Sequence, residues 1–60
     1  MITLKQVQSI KKQVQAVKYY GYADDIRSLS MVEGMVKRGI KVKPDAVKAI
    51  CNRLFVAVLS

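Results

Sequence analysis

The chain has 60 residues, with eleven lysines and arginines against four aspartates and glutamates, so its net charge is +7. This length allows one small domain, which buries only about 60% of the surface of its unfolded chain and is marginally stable by itself. One cysteine (Cys51) and no histidine exclude an internal disulfide and leave no basis for a zinc site. We therefore expect no metal, no cofactor and no enzymatic activity.

The first helix is predicted over residues 4–20. Thr3 and Gln6 have the spacing of a capping box, and Gly21 is a natural stop signal after the helix. Apolar residues then recur every three or four positions and form one narrow stripe, which is typical of a helix that packs along a seam. We predict that this stripe, with Tyr20, contributes to a protein interface; its members are Val7, Ile10, Val14 and Val17.

The second helix is predicted over residues 24–38. Asp24 and Asp25 suit a helix start, where a carboxylate accepts free N–H groups and meets the positive end of the dipole. We interpret both as capping residues and not as a catalytic pair. Gly34 lies inside this helix, and Ser30–Glu33 has the spacing of another capping box, so a break near Ser28–Ser30 is the alternative. The expected core face consists of Ile26, Leu29, Val32 and Val36.

The third helix is predicted over residues 44–59, because Pro44 favours the first helical position. Its expected core face consists of Val47, Ile50, Cys51, Leu54 and Val58. Leu54–Leu59 is also rich in β-branched residues, so a strand is the alternative there. The predicted fold is an all-α, small three-helix bundle.

The C-terminal helix carries more apolar surface than packing within a single short three-helix unit can bury. Phe55, Val56 and Leu59 spread this surface around the last two turns. Burying it between two copies would also compensate for the small core, so we predict a homodimer. The alternative is docking on a larger protein partner.

Basic residues gather around the second connection, where Asp45 alone opposes them. Such a patch attracts phosphate groups, which indicates a nucleic-acid partner. Asn52 and Arg53, on the following helix, are residue types that bond base edges. The predicted phosphate contacts are Lys37, Arg38, Lys41, Lys43 and Lys48.

Residues 28–54 resemble a helix-turn-helix unit. Gly39 and Ile40 match the turn glycine and the apolar residue after it, and Val47 and Ile50 match inward positions of a recognition helix. The turn is longer than in the tight motif, and bulky Met35 stands where a small residue usually allows close packing. In size, charge and lack of catalytic chemistry, the chain also resembles the small regulators encoded by phages and other mobile elements.

These features predict a non-enzymatic regulator that binds nucleic acid or a nucleic-acid-bound complex. The alternative is a protein-interaction module whose apolar helix faces bind and modulate a larger partner. The start of the chain shows no export signal, and the longest apolar run has six residues where a membrane span needs about 20. With one free cysteine, this predicts a cytoplasmic protein with no membrane partner.

Overall fold

The computed structural model describes residues 1–60 and contains three α-helices and no strand. Helix α1 spans Leu4–Val17, α2 spans Tyr22–Lys37 and α3 spans Asp45–Leu59. The all-α prediction is confirmed. Because α3 continues to Leu59, the strand alternative for its C-terminal run is excluded.

Helix α1 begins at the predicted capping box. The backbone N–H of Gln6 donates to Thr3 Oγ1 at 3.2 Å, and the backbone N–H of Thr3 donates to Gln6 Oε1 at 2.8 Å. Two backbone donors that the first helical turn leaves free are thereby satisfied.

The end of α1 comes three residues earlier than predicted, at Val17. Lys18 takes the left-handed conformation (φ 54°), and its N–H donates to the carbonyl of Val14 at 3.0 Å. Gly21, predicted as the stop signal of α1, is instead the residue before α2, with a φ of 83° that suits glycine. Residues 18–21 thus form a short turn that sets α2 antiparallel to α1.

Helix α2 begins at Tyr22, two residues before the predicted start, and is continuous through 28–30, so it has no break there. It ends in a Schellman motif. Gly39 has a φ of 81°, its N–H donates to Val36, and the N–H of Ile40 donates to Met35, both at 3.0 Å. The glycine terminates the helix as the sequence predicts.

Residues 38–44 return the chain to α3, which runs parallel to α1. The N–H of Ile2, just before α1, donates to the carbonyl of Val42, just before α3, at 3.1 Å. The helices therefore run up, down and up. One end of the molecule holds both chain segments that precede α1 and α3, and the other holds the 18–21 turn and the C-terminal part of α3.

The core is small, with nine buried residues among the 60. Val7, Val14 and Leu29 are fully buried, and no aromatic side chain is. Val58, predicted on the core face of α3, is exposed because it lies in the last turn, beyond the reach of α1 and α2. The hydrophobic core consists of Ile2, Val7, Val14, Leu29, Val42, Val47, Ile50 and Leu54.

Helix α1 packs against both other helices, whereas α2 and α3 have little direct contact with each other. In a helix-turn-helix unit the two helices pack on each other across a turn of about three or four residues. Here seven residues, 38–44, separate them. The predicted likeness to that motif is therefore wrong at the level of packing, because α2 and α3 make most of their contacts with α1 and few with each other.

Candidate functional site

Basic residues converge at the end of the molecule where α1 and α3 begin and α2 stops. The five predicted phosphate contacts lie here, and all five are exposed. Lys5, in the first turn of α1, joins them because the up-down-up topology brings that turn beside the second connection. We call this surface the basic end; it comprises Lys5, Lys37, Arg38, Lys41, Lys43 and Lys48.

The second connection is held in shape at the basic end. Val42 is buried in the core and receives the hydrogen bond from Ile2, while Lys41 and Lys43 on either side are exposed. The burial of Val42 between two exposed neighbours places both lysine side chains on the solvent side of this segment. The two ammonium groups are thus carried on an anchored backbone.

None of the six cations of the basic end has a carboxylate within 4.0 Å. The two ion pairs of the chain join Lys11 to Glu33 and Arg53 to Asp25, both elsewhere. The guanidinium of Arg38 donates to the carbonyl of Gly34 at 3.2 Å and so covers the C-terminus of α2, where a cation is favourable. The positive field of this end is therefore opposed only by Asp45 and by Glu33, which lies one turn before Lys37 and within its electrostatic range.

Arg53, one of the two predicted base contacts, belongs to a part-buried hydrogen-bond network away from the basic end. Its Nε donates to Asp25 Oδ2 at 3.0 Å, and its Nη2 bonds the other carboxylate oxygen. The hydroxyl of Tyr19 also donates to Asp25 Oδ2. Asp24 and Asp25 lie in the first turn of α2 as predicted, but the interpretation of both as capping residues is wrong, because Gly21 is the N-cap and no side chain caps this helix. Asp25 is only 4% exposed, and its carboxylate is the acceptor that ties Tyr19 and α3 to α2.

The network shifts the protonation of its members. The hydrogen bonds from Arg53 hold the pKa of Asp25 below its usual range, against the opposing effect of burial. Burial, reinforced by the hydrogen bond to Asp25, raises the pKa of Tyr19 to about 12. Every buried side-chain nitrogen and oxygen of the chain has a hydrogen-bond partner. The network is thus satisfied internally, and Arg53 is engaged in structure.

Asn52, the other predicted base contact, is exposed on α3. It lines a shallow groove of about 390 Å³ together with Tyr19 and Tyr20 from the turn and Val56 from α3. The structure therefore associates Asn52 with the opposite end of the molecule from the lysines of the second connection.

The opposite end exposes large apolar side chains. Phe55 is 65% exposed and Tyr20 is fully exposed, and Tyr20 lies across the groove from Val56. The charged residues nearest this end are Lys18, Arg27 and Arg53 against Asp24 and Asp25, so their sum is only +1. We call this surface the apolar end; it comprises Tyr20, Phe55, Val56, Val58 and Leu59.

The predicted interface residues of α1 lie elsewhere. Val7 and Val14 are fully buried in the core of the chain itself, and Ile10 and Val17 pack partly buried against that core. They offer no surface stripe to a partner, because α2 and α3 already cover this face of α1. Of the predicted interface residues, the exposed ones are Tyr20, Phe55, Val56 and Leu59.

A second groove, of about 690 Å³, runs between α1 and α3 next to the basic end. Its apolar wall includes Ile10, Val47 and the partly exposed Cys51, and Lys48 stands at its edge. No group of three or more histidine, cysteine, aspartate or glutamate side chains is arranged to hold a metal ion.

Sequence reasoning missed two features of these surfaces. Lys5 is distant in sequence from the other basic residues, and only the topology adds it to their end. The anchor formed by Ile2 and Val42 was also missed, although the Lys–Val–Lys alternation of residues 41–43 is the signal of an extended segment with one side buried.

No protein-family model, no curated protein and no solved structure matches this chain. None of its three helices combines the length and the apolar character needed to cross a membrane.

Proposed function

We propose that the chain is a non-enzymatic regulator that binds nucleic acid through its basic end. The observation that carries this proposal is the convergence of six exposed cations, none paired with a carboxylate, at one end of a 35 Å long molecule. Asp45 is the only acidic residue at that end.

The chemistry of this end suits phosphate groups more than base edges. Lysine is a flexible point charge, and five of the six cations are lysines. Each phosphate that they neutralise releases condensed counterions, which is the main source of affinity in binding that does not depend on sequence. Because Arg53 is engaged with Asp25, we expect little discrimination between base sequences.

Charge reversal of the anchored connection tests this function. In Lys41→Glu/Lys43→Glu, we expect weaker binding to fluorescent duplexes of unrelated sequence, by a similar factor for each. We also expect the slope of log affinity against log salt to become shallower by about two, one for each lost phosphate contact.

The matched control is Lys12→Glu/Arg27→Glu, which alters two exposed, unpaired cations outside the basic end and also lowers the net charge from +7 to +3. We expect this control to bind more tightly than the connection variant. Equal losses in both variants would show that net charge, and not the basic end, governs binding.

The apolar end supports a second function, binding to another protein chain. Solvent-exposed side chains such as Phe55 and Tyr20 are typical anchors of protein interfaces when they cluster. Phe55→Glu should abolish such a complex while leaving the helical signal in circular dichroism unchanged, because the side chain projects away from the core. A complex that survives this substitution would exclude the apolar end as the docking surface.

A further inference from the structure

We infer that a second copy of this chain covers the apolar end, which leaves two basic ends pointing away from each other. The dimerisation step stands independently of the proposed nucleic-acid function. If the dimer forms, one dimer can hold two segments of nucleic acid, and this second step rests on the proposed nucleic-acid function.

Charge distribution favours a second copy as the occupant. The charges nearest the apolar end sum to only +1, since Asp24 and Asp25 offset two of the three cations Lys18, Arg27 and Arg53. At the basic end, Asp45 is the only acidic residue among six cations. Two copies therefore repel each other much less at their apolar ends than they would through their basic ends. An acidic partner protein would be attracted to the opposite end, where the unpaired cations lie, and would gain little from charge at the apolar end.

The length of the molecule separates the repelling charges. Each copy extends 35 Å along its long axis, whereas the Debye length at physiological ionic strength is about 8 Å. Contact through the apolar ends therefore places the two basic ends several Debye lengths apart. If the two copies met through a surface nearer the second connection, their basic ends would come close enough to repel each other.

The exposed apolar area supplies a large part of a dimer interface. The five side chains of the apolar end, each more than 60% exposed, offer on the order of 500 Å² per copy. A standard interface takes about 800 Å² from each partner. The groove residues beside them, Asn52 and Ala57, extend the patch toward that value. A two-fold arrangement would use the same patch on both copies.

Molar mass in solution tests the dimer. Across a concentration series, light scattering on the full chain should give twice the 6.7 kDa mass of one copy. Phe55→Glu should give a single-copy mass at concentrations where the wild type is dimeric. Leu59→Glu should do the same, and since it alters the last residue of α3 it leaves the core packing intact.

Met31→Glu is the matched control, because Met31 is exposed to the same 65% as Phe55 but lies on α2 outside the apolar end. This variant should remain dimeric. A wild type with the mass of one copy at every concentration would overturn the inference and leave the apolar end to a different protein. A dimer that Met31→Glu disrupts and Phe55→Glu does not would equally overturn it.

A bridging assay tests the outward orientation of the basic ends. Wild-type protein should capture a free fluorescent duplex on an immobilised duplex of another sequence, and Phe55→Glu should bind single duplexes without capturing a second. Dimers that bind one duplex but never capture another would overturn the proposed orientation. If no duplex binds at all, the nucleic-acid function fails, while the mass measurements still decide the dimer.

Discussion

Asp24 and Asp25 are neighbours in the first turns of α2, yet their surroundings differ completely. Asp24 is exposed and without an ion-pair partner, whereas the carboxylate of Asp25 accepts hydrogen bonds from Arg53 and Tyr19. The sequence indicates only that both suit a helix start. It does not predict that one of them is buried, because the partners of Asp25 stand 6 positions before it and 28 positions after it.

Asp25→Asn therefore should lower the free energy of unfolding by about 2 kcal/mol, as expected for hydrogen bonds between charged groups in a part-buried site. Asp24→Asn is the adjacent control and should change it by less than about 0.5 kcal/mol. Urea denaturation followed by circular dichroism measures both. Equal effects of the two substitutions would contradict the assignment of Asp25 to a stabilising network.

The protonation of Asp25 should appear in acid unfolding. Its folded-state pKa is lowered, so its contribution to stability is present above the ordinary aspartate range and is lost as pH falls through the folded-state pKa. The difference in melting temperature between wild type and Asp25→Asn should therefore shrink as pH falls below about 4. A difference that stays constant down to strongly acidic pH would contradict this explanation.

Tyr19 should report the same network at alkaline pH. Its pKa is raised from 10.0 to about 12, so its contribution to stability is complete below pH 10 and is lost as pH rises toward 12. In the ultraviolet absorbance titration of tyrosinate, Tyr19→Phe should remove a component that ionises near pH 12. A spectrum that loses a component near pH 10 instead would show that the phenol is free of the network.

At the scale of elements, local signals predict where helices begin and end better than how the turns between them are built. The capping box of α1 and the glycine after α2 were predicted from local pattern and are confirmed. The end of α1 at Val17 was not predicted, because the helix stops where Lys18 adopts a left-handed conformation, and lysine is not a residue type that indicates such a stop. Because the helix ends there, the next residue but one, Tyr19, lies in the turn, where its hydroxyl donates a hydrogen bond to Asp25 of α2.

Replacing Gly34 or Gly39 by alanine should change the free energy of unfolding in opposite directions. Gly34 is inside the continuous helix α2, and an added Cβ would meet nothing within 4 Å, so Gly34→Ala should raise the free energy of unfolding by about 1 kcal/mol. Gly39 has a φ of 81°, so Gly39→Ala should lower it by about 1–2 kcal/mol. Thermal denaturation of both variants measures this. Destabilisation by Gly34→Ala would indicate that α2 is interrupted there.

At the scale of the whole molecule, the up-down-up topology separates two surfaces that the sequence already distinguishes. Six of the eleven cations gather at one end because the second connection and the starts of α1 and α3 meet there, and the apolar surplus of α3 lies at the other. The sequence predicts both clusters from local composition. Their placement at opposite ends, and the addition of Lys5, follow from the packing of α1 against α2 and α3, which also brings Ile2 into hydrogen-bond contact with Val42.

The most direct test of the central claim is equilibrium binding of the wild-type chain to a fluorescent DNA duplex over a series of salt concentrations. We expect clear binding at low salt, with log affinity falling linearly against log salt at a slope of about −4.5 to −5.4 for five or six phosphate contacts. No binding at low salt, or an affinity that does not change with salt, would contradict a basic end that holds nucleic acid.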